Sequence, residues 1–189
     1  HRNSRMKVAK AFSGPVIIEF EEKIRSLCSE ILDNTLPMID FDATKHIARE
    51  LPVRMLGRIL GLPEEDLPWL VEKGDALIAN TDPDFTDHVL DKLNTNEFRL
   101  MPHNSPAGAE LYEYAETLME KRLKTDNTNS ILHMVMQPAV DGSKLSETEF
   151  KNFFCQLVAA GNDTTRYSIA AGIHALCHQP ELLNQMKND

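Results

Sequence analysis

Cysteine is scarce in this chain of 189 residues, which contains only three. Cys28, Cys155 and Cys177 are scattered along the sequence, and an odd number of cysteines cannot all form pairs. This pattern excludes a disulfide framework and a cysteine-based zinc site, and it favours a reducing compartment such as the cytoplasm. Because a free cysteine is commonly a small buried hydrophobic residue, we expect all three to be buried.

Long apolar runs and an excess of basic residues are also missing. No apolar run approaches the roughly 18 residues that a membrane-spanning helix needs. The net charge of −9 makes nucleic acid an unexpected partner, because binding to phosphates requires a basic surface. The hydrophobic fraction of 42% is still enough for a core. The composition therefore indicates a soluble protein with neither a membrane span nor a nucleic-acid partner.

Helix breakers and apolar spacing predict a mainly α fold with little β structure. Ser13-Gly14-Pro15 ends a first helix, and an apolar stripe with the helical period follows it. The stripe consists of Ile17, Phe20, Ile24, Leu27, Cys28 and Ile31. Apolar and polar residues alternate briefly over residues 38–41, which predicts one short strand.

The rest of the chain is also expected to be helical. Pro52 should bend the helix that contains it or cost it a hydrogen bond, and Gly61-Leu62-Pro63 should end that helix. Further helices are predicted over residues 43–60, 64–79, 106–124 and 129–137.

The longest helix is predicted after residue 146. Ser146 and Glu149 have the spacing of a capping box, so a helix should begin near Glu147. No proline follows until Pro180, which leaves room for about 30 helical residues, or some 45 Å. Such a helix would cross a whole domain.

A polar turn interrupts the apolar character of this helix. Its sequence is Ala160-Gly161-Asn162-Asp163-Thr164-Thr165, and helix interiors disfavour most of these residue types. One face of the helix carries Leu157 together with small residues, which are Ala160, Gly161, Thr164 and Ser168. Either this face is a notch that presents an acid and an alcohol to a cofactor, or it is a polar turn facing solvent. In both cases the Thr164 hydroxyl should bond back to the Ala160 carbonyl.

The polar turn resembles the oxygen-activation helix of the haem-thiolate monooxygenases, the cytochrome P450 superfamily, whose pattern is Ala/Gly-Gly-x-Asp/Glu-Thr-Thr. His1-x-x-x-Arg5 resembles the family's C helix, residues 48–63 resemble its E helix, and residues 174–183 resemble the junction between its long I helix and the next helix. The resemblance covers the whole chain and is to the soluble bacterial type. It implies the central helical part of the P450 fold, from the C helix to just past the I helix.

Two family motifs are absent from the sequence. The chain has neither the Phe-x-x-Gly-x-x-x-Cys-x-Gly loop, whose cysteine binds the haem iron, nor the Glu-x-x-Arg motif, and it begins at His1. We therefore expect residues 1–189 to be a partial P450 domain that lacks its N-terminal region and its C-terminal haem-ligand region. Haem b would be bound completely only in the full-length protein, and the fragment alone should be inactive.

The resemblance implies roles for individual side chains. Thr164 and Asp163 are the catalytic pair, the hydroxyl holding oxygen and the carboxylate relaying protons. The oxygen-binding notch comprises Ala160, Gly161 and Thr165. The haem propionates are bound by His1 and Arg5, and no residue of this chain is expected to bind the iron.

The least regular part of the chain is residues 80–105, a length that usually marks a lid or a binding loop. In the family this region forms the roof over the substrate channel. The expected apolar lining of that roof is Phe85, Leu93, Phe98 and Met101. The alternative is a loop collapsed on itself.

The resemblance also implies partners. They are dioxygen, a lipophilic substrate such as a terpenoid, a steroid side chain or a methyl-branched lipid, and a ferredoxin with its reductase, which carries electrons from NAD(P)H. Arg2, Lys7 and Lys10 lie where an acidic ferredoxin docks in the family, although a solvated helix face explains them equally well.

Two other classes of protein remain open. A helical interaction or scaffold module would need no acid and alcohol in its longest helix. A di-iron bundle would use Glu-x-x-His ligands on two helices, and the sequence has no such pair.

Overall fold

The structure is a computed structural model that describes residues 2–79, 82–83, 104–122, 130–139 and 141–188. Within these ranges the chain forms helices and no strand, as expected for a mainly α fold. The α-helices are α1 (Arg2–Val8), α2 (Gly14–Ile18), α3 (Phe20–Thr35), α4 (Glu50–Leu60), α5 (Leu67–Ile78), α6 (Pro106–Arg122), α7 (Ile131–Met136), α8 (Glu147–His178) and α9 (Pro180–Asn188). Short 3₁₀ turns occupy Ala9–Phe12 and Glu64–Asp66.

The predicted strand at residues 38–41 is wrong. The backbone N–H of Met38 donates to the Thr35 carbonyl at 3.0 Å, so the chain leaves α3 through a further turn, and bends follow. A strand needs a neighbouring strand for its backbone hydrogen bonds, and the described residues provide none. Alternation of apolar and polar residues over so short a segment is therefore insufficient.

A widened turn precedes Pro52, at which the sequence predicts a bend or a lost hydrogen bond. Residues Thr44–Ala48 are π-helical, and the N–H of Arg49 donates to the carbonyl of Thr44 at 3.0 Å. Pro52 has no N–H with which to bond the Ala48 carbonyl, and its ring crowds that carbonyl. The irregular turn therefore precedes the proline, and regular helix begins at Glu50.

The end of α4 follows the predicted stop signal. Gly61 has φ +65°, a left-handed conformation that glycine adopts without the steric cost of a side chain. The N–H groups of Gly61 and Leu62 then bond to the carbonyls of Arg58 and Gly57 at 3.2 and 2.8 Å. These bonds satisfy the last carbonyls of the helix.

The core is organised around α8, which packs against α4, α5 and α6. The predicted capping box is confirmed, since Ser146 Oγ accepts from the Glu149 N–H at 3.2 Å and Glu149 Oε2 accepts from the Ser146 N–H at 2.8 Å. The helix has 32 residues, which corresponds to about 48 Å. Its first half buries Phe150, Phe154 and Val158, each large apolar side chain contributing about 1.5–3 kcal/mol.

The three cysteines differ in burial. Cys155 is buried in the core and Cys28 is partly buried, whereas Cys177 is exposed. The expectation of burial is therefore wrong for Cys177, because the last turns of α8 extend beyond the helices that cover its first half. No helix in the described ranges is long and apolar enough to cross a membrane.

Candidate functional site

The middle of α8 has a packed side and an open side. The packed side carries Val158, Ala159 and Asn162, all buried. The open side carries Ala160 and Thr164, both exposed although they lie in the helix that forms the centre of the core. The structure thus places the alcohol of the polar turn on a free surface of small side chains.

The Thr164 hydroxyl has the predicted local partner. Its Oγ1 donates to the carbonyl of Ala160 at 3.4 Å, and one turn further on the Ser168 hydroxyl donates to the carbonyl of Thr164 at 2.8 Å. The lone pairs of the Thr164 oxygen are not used by this bond, so they can accept a hydrogen bond from a donor. Thr165, the other hydroxyl of the predicted notch, is also exposed.

Gly161 has a packing role that the sequence analysis missed. A Cβ atom at this position would lie 3.0 Å from Cδ1 of Leu56 on α4, closer than side chains normally approach. Glycine therefore allows α4 to lie against α8 at the polar turn. The oxygen-binding notch of Ala160, Gly161 and Thr165 stays a prediction beside this structural role.

A charged network lies next to the polar turn. Arg166 donates through Nη2 to Oδ1 of Asp163 at 2.5 Å and through Nη1 to Oδ2 of Asp75 on α5 at 3.3 Å. Asn162 donates to the other oxygen of Asp75 at 2.9 Å, and the guanidinium of Arg49 lies 4.0 Å from Asp75. Asp163 therefore belongs to a network that joins α8 to α5.

Burial and charge act in opposite directions on Arg166. Burial disfavours its charge, but the hydrogen bonds and charges of Asp75 and Asp163 outweigh burial and raise the pKa of the guanidinium. The side chains of Arg166 and Asp75 are 15% and 13% exposed, so solvent screens their attraction weakly. The cation between the two carboxylates is thus a fixed feature of the site.

The sequence analysis did not identify Asp75, Asn162 or Arg166 as site residues. One signal was available, because Asn162 and Arg166 follow Val158 at steps of four and so continue the buried face of α8. A polar pair on such a face requires a polar partner across the interface.

On α1, Arg5 is exposed and lies beside α8. It lines a groove of about 470 Å³ together with Val8, Leu145, Glu149, Asn152, Phe153 and Gln156. From Gln156, steps of four residues lead along the same face of α8 to Ala160 and Thr164. Gln156, at one end of the groove lining, therefore lies on the same face of α8 as Thr164. The other predicted propionate ligand, His1, lies outside the described residues.

The basic residues of α1 and of the 3₁₀ turn after it differ in their environment. Lys7 forms an ion pair with Glu149 at 2.9 Å, and its side chain is 18% exposed. Lys10 is exposed. Lys7 therefore serves to attach α1 to the start of α8, and Lys10 is the better candidate for contact with a partner.

The predicted substrate roof cannot be compared with the structure. Phe85, Leu93, Phe98 and Met101 all lie outside the described residues.

Cys155, the buried cysteine of α8, does not have the character of an iron ligand. Burial raises the pKa of Cys155 to about 12, which keeps it a thiol at neutral pH. In the part of the chain that the structure describes, no cluster of histidine, cysteine, aspartate and glutamate could hold a metal ion.

Comparison with known proteins gives a consistent result. Cytochrome P450 126 of Mycobacterium tuberculosis is 30% identical over 197 residues, which is 100% of this chain and 44% of the relative. The steroid C26-monooxygenase of Mycolicibacterium smegmatis is 28% identical, over 96% of this chain and 39% of the relative. The methyl-branched lipid omega-hydroxylase of Mycobacterium bovis is 27% identical, over 100% and 42%. The chain thus spans less than half the length of these curated relatives. No family model matches it.

Solved structures share the fold. Mycobacterium marinum cytochrome P450 CYP268A2, in complex with pseudoionone, matches 98% of this chain with a TM-score of 0.79 at 27% identity, over 42% of its own length. CYP109E1 of Bacillus megaterium, in complex with corticosterone, matches 100% of this chain with a TM-score of 0.78 at 26% identity, over 48% of its own length.

Helix order, the open polar turn of α8 and these similarities define the chain as the helical part of a haem-thiolate protein fold. Along its whole length it is similar to members of the cytochrome P450 family, and it spans less than half of their length.

Proposed function

We propose that this chain forms the central helical part of a P450 monooxygenase that uses dioxygen to hydroxylate a lipophilic substrate. The observation that carries the proposal is the position of Thr164, whose hydroxyl is exposed on the central helix one residue from the bound carboxylate of Asp163. A scaffold module would have no use for this arrangement, because polar residues in a central helix cost stability.

The residues present fit one side of a haem. Ala160 and Thr164 leave a low, open surface on α8 against which a flat macrocycle can lie. Arg5 lines a groove that reaches Gln156 on the same face of α8, and its guanidinium suits a propionate carboxylate. His1 is proposed as the second propionate ligand. The cysteine that would bind the iron is not among the residues that fit, so it must come from another part of the protein.

Haem with a cysteine thiolate supplies, when bound, the chemistry that cleaves dioxygen and oxidises a C–H bond. This chain contributes the side chains that hold and transfer protons. The hydroxyl of Thr164 donates and accepts on the open side of α8, and the carboxylate of Asp163 passes protons from solvent toward it. Ala160, Gly161 and Thr165 are proposed to leave space for dioxygen beside that hydroxyl.

The substrate class follows from the relatives. Two of them are named for steroid and methyl-branched lipid oxidation, and a structural neighbour contains pseudoionone. We propose a substrate of the same kind, a terpenoid, a steroid side chain or a methyl-branched lipid, beneath a roof that includes Phe85, Leu93, Phe98 and Met101.

Electrons are proposed to come from NAD(P)H through a reductase and a ferredoxin. Arg2 on α1 and Lys10 in the 3₁₀ turn that follows it would attract an acidic ferredoxin over long range. Lys7 contributes less to this attraction, because Glu149 neutralises it.

The proposal is tested on the protein that contains this chain together with the remaining P450 sequence. Its coding region should encode a cysteine-containing haem loop within roughly 150–200 residues downstream, the separation that domain size allows. The purified, reduced protein exposed to carbon monoxide should show the absorption band typical of thiolate-bound haem. A coding region without the loop, or a protein without the band, contradicts the proposal.

A further inference from the structure

The network behind the polar turn connects two helices that are far apart in sequence. Asn162, Asp163 and Arg166 belong to one turn of α8, and Asp75 belongs to α5. At 100° per residue, Asn162 and Arg166 point away from Thr164, and Asp163 lies between the two sides. Asp163 is therefore the one acid of the network that borders the open side.

Arg166 fixes Asp163 relative to α5. Its guanidinium is planar and rigid, and it uses Nη2 for Asp163 and Nη1 for Asp75. Because Asp75 is 13% exposed and Arg166 is 15% exposed, neither side chain is free to turn into solvent. The place of the Asp163 carboxylate is thus set by an acid on another helix.

Asp75 is itself held by Asn162. The Asn162 amide donates to Asp75 Oδ1 at 2.9 Å, while its own Oδ1 is buried without a hydrogen-bond partner among the described residues. A buried polar atom without a partner destabilises a fold, and an apolar side chain of similar size would avoid that cost. The asparagine is therefore better explained by the bond it gives to Asp75 than by core packing.

Asp163 is bound through one oxygen. Oδ1 accepts from Arg166, and Oδ2 accepts no hydrogen bond from the described residues. The side chain is 23% exposed, so water can reach the second oxygen. This is the arrangement expected of a carboxylate that is held at one end and exchanges protons at the other.

We propose that Arg166 and Asp75 are positioning residues for Asp163, holding Oδ1 against α5 so that Oδ2 faces the route along which protons reach Thr164. This inference rests on the proposed function, because it deepens the role assigned to Asp163. Arg166 points away from Thr164, and Asp75 binds it from α5. They act through Asp163, and Asn162 supports them by fixing Asp75.

The test uses the full-length, haem-containing protein and the variants Arg166→Met, Arg166→Lys and Asp75→Asn. The matched control is Arg54→Met. Arg54 is 19% exposed and forms ion pairs with Glu30 at 2.6 Å and Glu64 at 3.9 Å, so its replacement removes a similar half-buried cation away from α8.

The first measurement is the fraction of NAD(P)H electrons that appear as hydrogen peroxide. Dioxygen that takes up two electrons and two protons without oxidising substrate leaves as hydrogen peroxide, so misplaced protons raise this fraction. Arg166→Met should raise it at least about twofold and Asp75→Asn should raise it less, because accuracy of placement controls such steps. Arg166→Lys should restore part of the coupling. Arg54→Met should leave the fraction at the wild-type value.

The second measurement is thermal unfolding, which does not depend on turnover. The double variant combines Arg166→Met with Asp75→Asn. If Asp75 and Arg166 act as one unit, its Tm should fall by less than the sum of the two single decreases, the difference being about 2 °C or more. Additive losses overturn the inference. So does a peroxide fraction that is the same in Arg166→Met and Arg54→Met, because Arg166 would then be a structural residue only.

The two proposals fail in different ways. A wild-type protein without the carbon monoxide band contradicts the monooxygenase function and with it the proton role of Asp163. A protein that has the band but shows additive Tm losses, or an unchanged peroxide fraction, contradicts the positioning role alone.

Discussion

Thr164 is the side chain on which the proposed proton transfer depends most directly. Its hydroxyl is exposed on α8, and its one local hydrogen bond to Ala160 is long, at 3.4 Å. A weak bond of this kind leaves the hydroxyl free to turn toward a ligand. The chemistry of the side chain therefore matters more than its contribution to helix stability.

Replacing Thr164 by Ala in the full-length protein should uncouple oxygen use from product formation. The peroxide fraction is expected to rise several-fold, on the order of tenfold, because a positioned proton donor is lost. The carbon monoxide band should be retained. Thr117→Ala is the matched control, since Thr117 on α6 is also exposed and bonds to the carbonyl of Glu113 four residues earlier at 3.1 Å. Equal coupling in the two variants would remove Thr164 from the mechanism.

For single residues, the sequence was sufficient to predict only the contacts between neighbours on one helix. The bond from Thr164 to Ala160 joins residues four apart on one helix, so helical geometry alone predicts it. The bond from Arg166 to Asp75 joins residues 91 apart, and it depends on which face of α5 lies against α8. Spacing along a single helix contains no information about that contact.

In the first turn of α8, Glu149 takes part in two contacts. Glu149 accepts from the Ser146 N–H in the capping box, and it also binds Lys7 of α1. These bonds, that of Ser146 first and that of Lys7 next, lower the pKa of the Glu149 carboxyl. Because Glu149 takes part in both contacts, α1 is attached to the first turn of α8.

The lowered pKa predicts a dependence of stability on pH. A carboxyl whose pKa is lower in the folded than in the unfolded state stabilises the fold above its unfolded value, here 4.5, and loses this effect as pH falls through the folded value. Glu149→Gln should therefore lose less Tm than the wild type between about pH 7 and about pH 4. Thermal melts of the full-length protein measure this, with Glu113→Gln on the exposed face of α6 as control. Parallel Tm losses in all three proteins would contradict the assignment.

Most elements could be predicted because their boundaries are marked by local chemistry. Ser146 and Glu149 mark the start of α8, and Gly61 marks the end of α4. The prediction of a short strand at residues 38–41 was wrong for a physical reason. Strands are stabilised by partner strands, which the sequence of one segment cannot reveal. The π-helical turn before Pro52 likewise depends on how the chain accommodates a missing N–H, and several local geometries can do so.

On the scale of the whole molecule, the described surface includes a row of exposed apolar side chains on α2 and α3. They are Ile17, Ile18, Ile24 and Leu32, and together with Cys28 they line a surface groove of about 720 Å³. A large apolar patch usually marks a surface that another part of a protein covers. It supports the proposal that these 189 residues act within a longer P450.

The polypeptide of these 189 residues, produced alone, should show no thiolate-haem band when it is mixed with haem, reduced and exposed to carbon monoxide. Cys155 is a buried thiol with a pKa of about 12, and neither Cys28 nor Cys177 lies in a haem-binding motif. Absorption spectra of the mixture measure this, with the full-length protein as the positive control. A band from the short polypeptide would show that one of its own cysteines binds the iron.

The close approach of α4 to α8 also has an evolutionary consequence. Since a methyl group at position 161 would lie 3.0 Å from Cδ1 of Leu56, a lineage that replaces Gly161 with alanine needs either a small shift of the Leu56 side chain or a smaller residue at position 56. The two positions, 105 apart in sequence, are expected to covary among descendants of this protein.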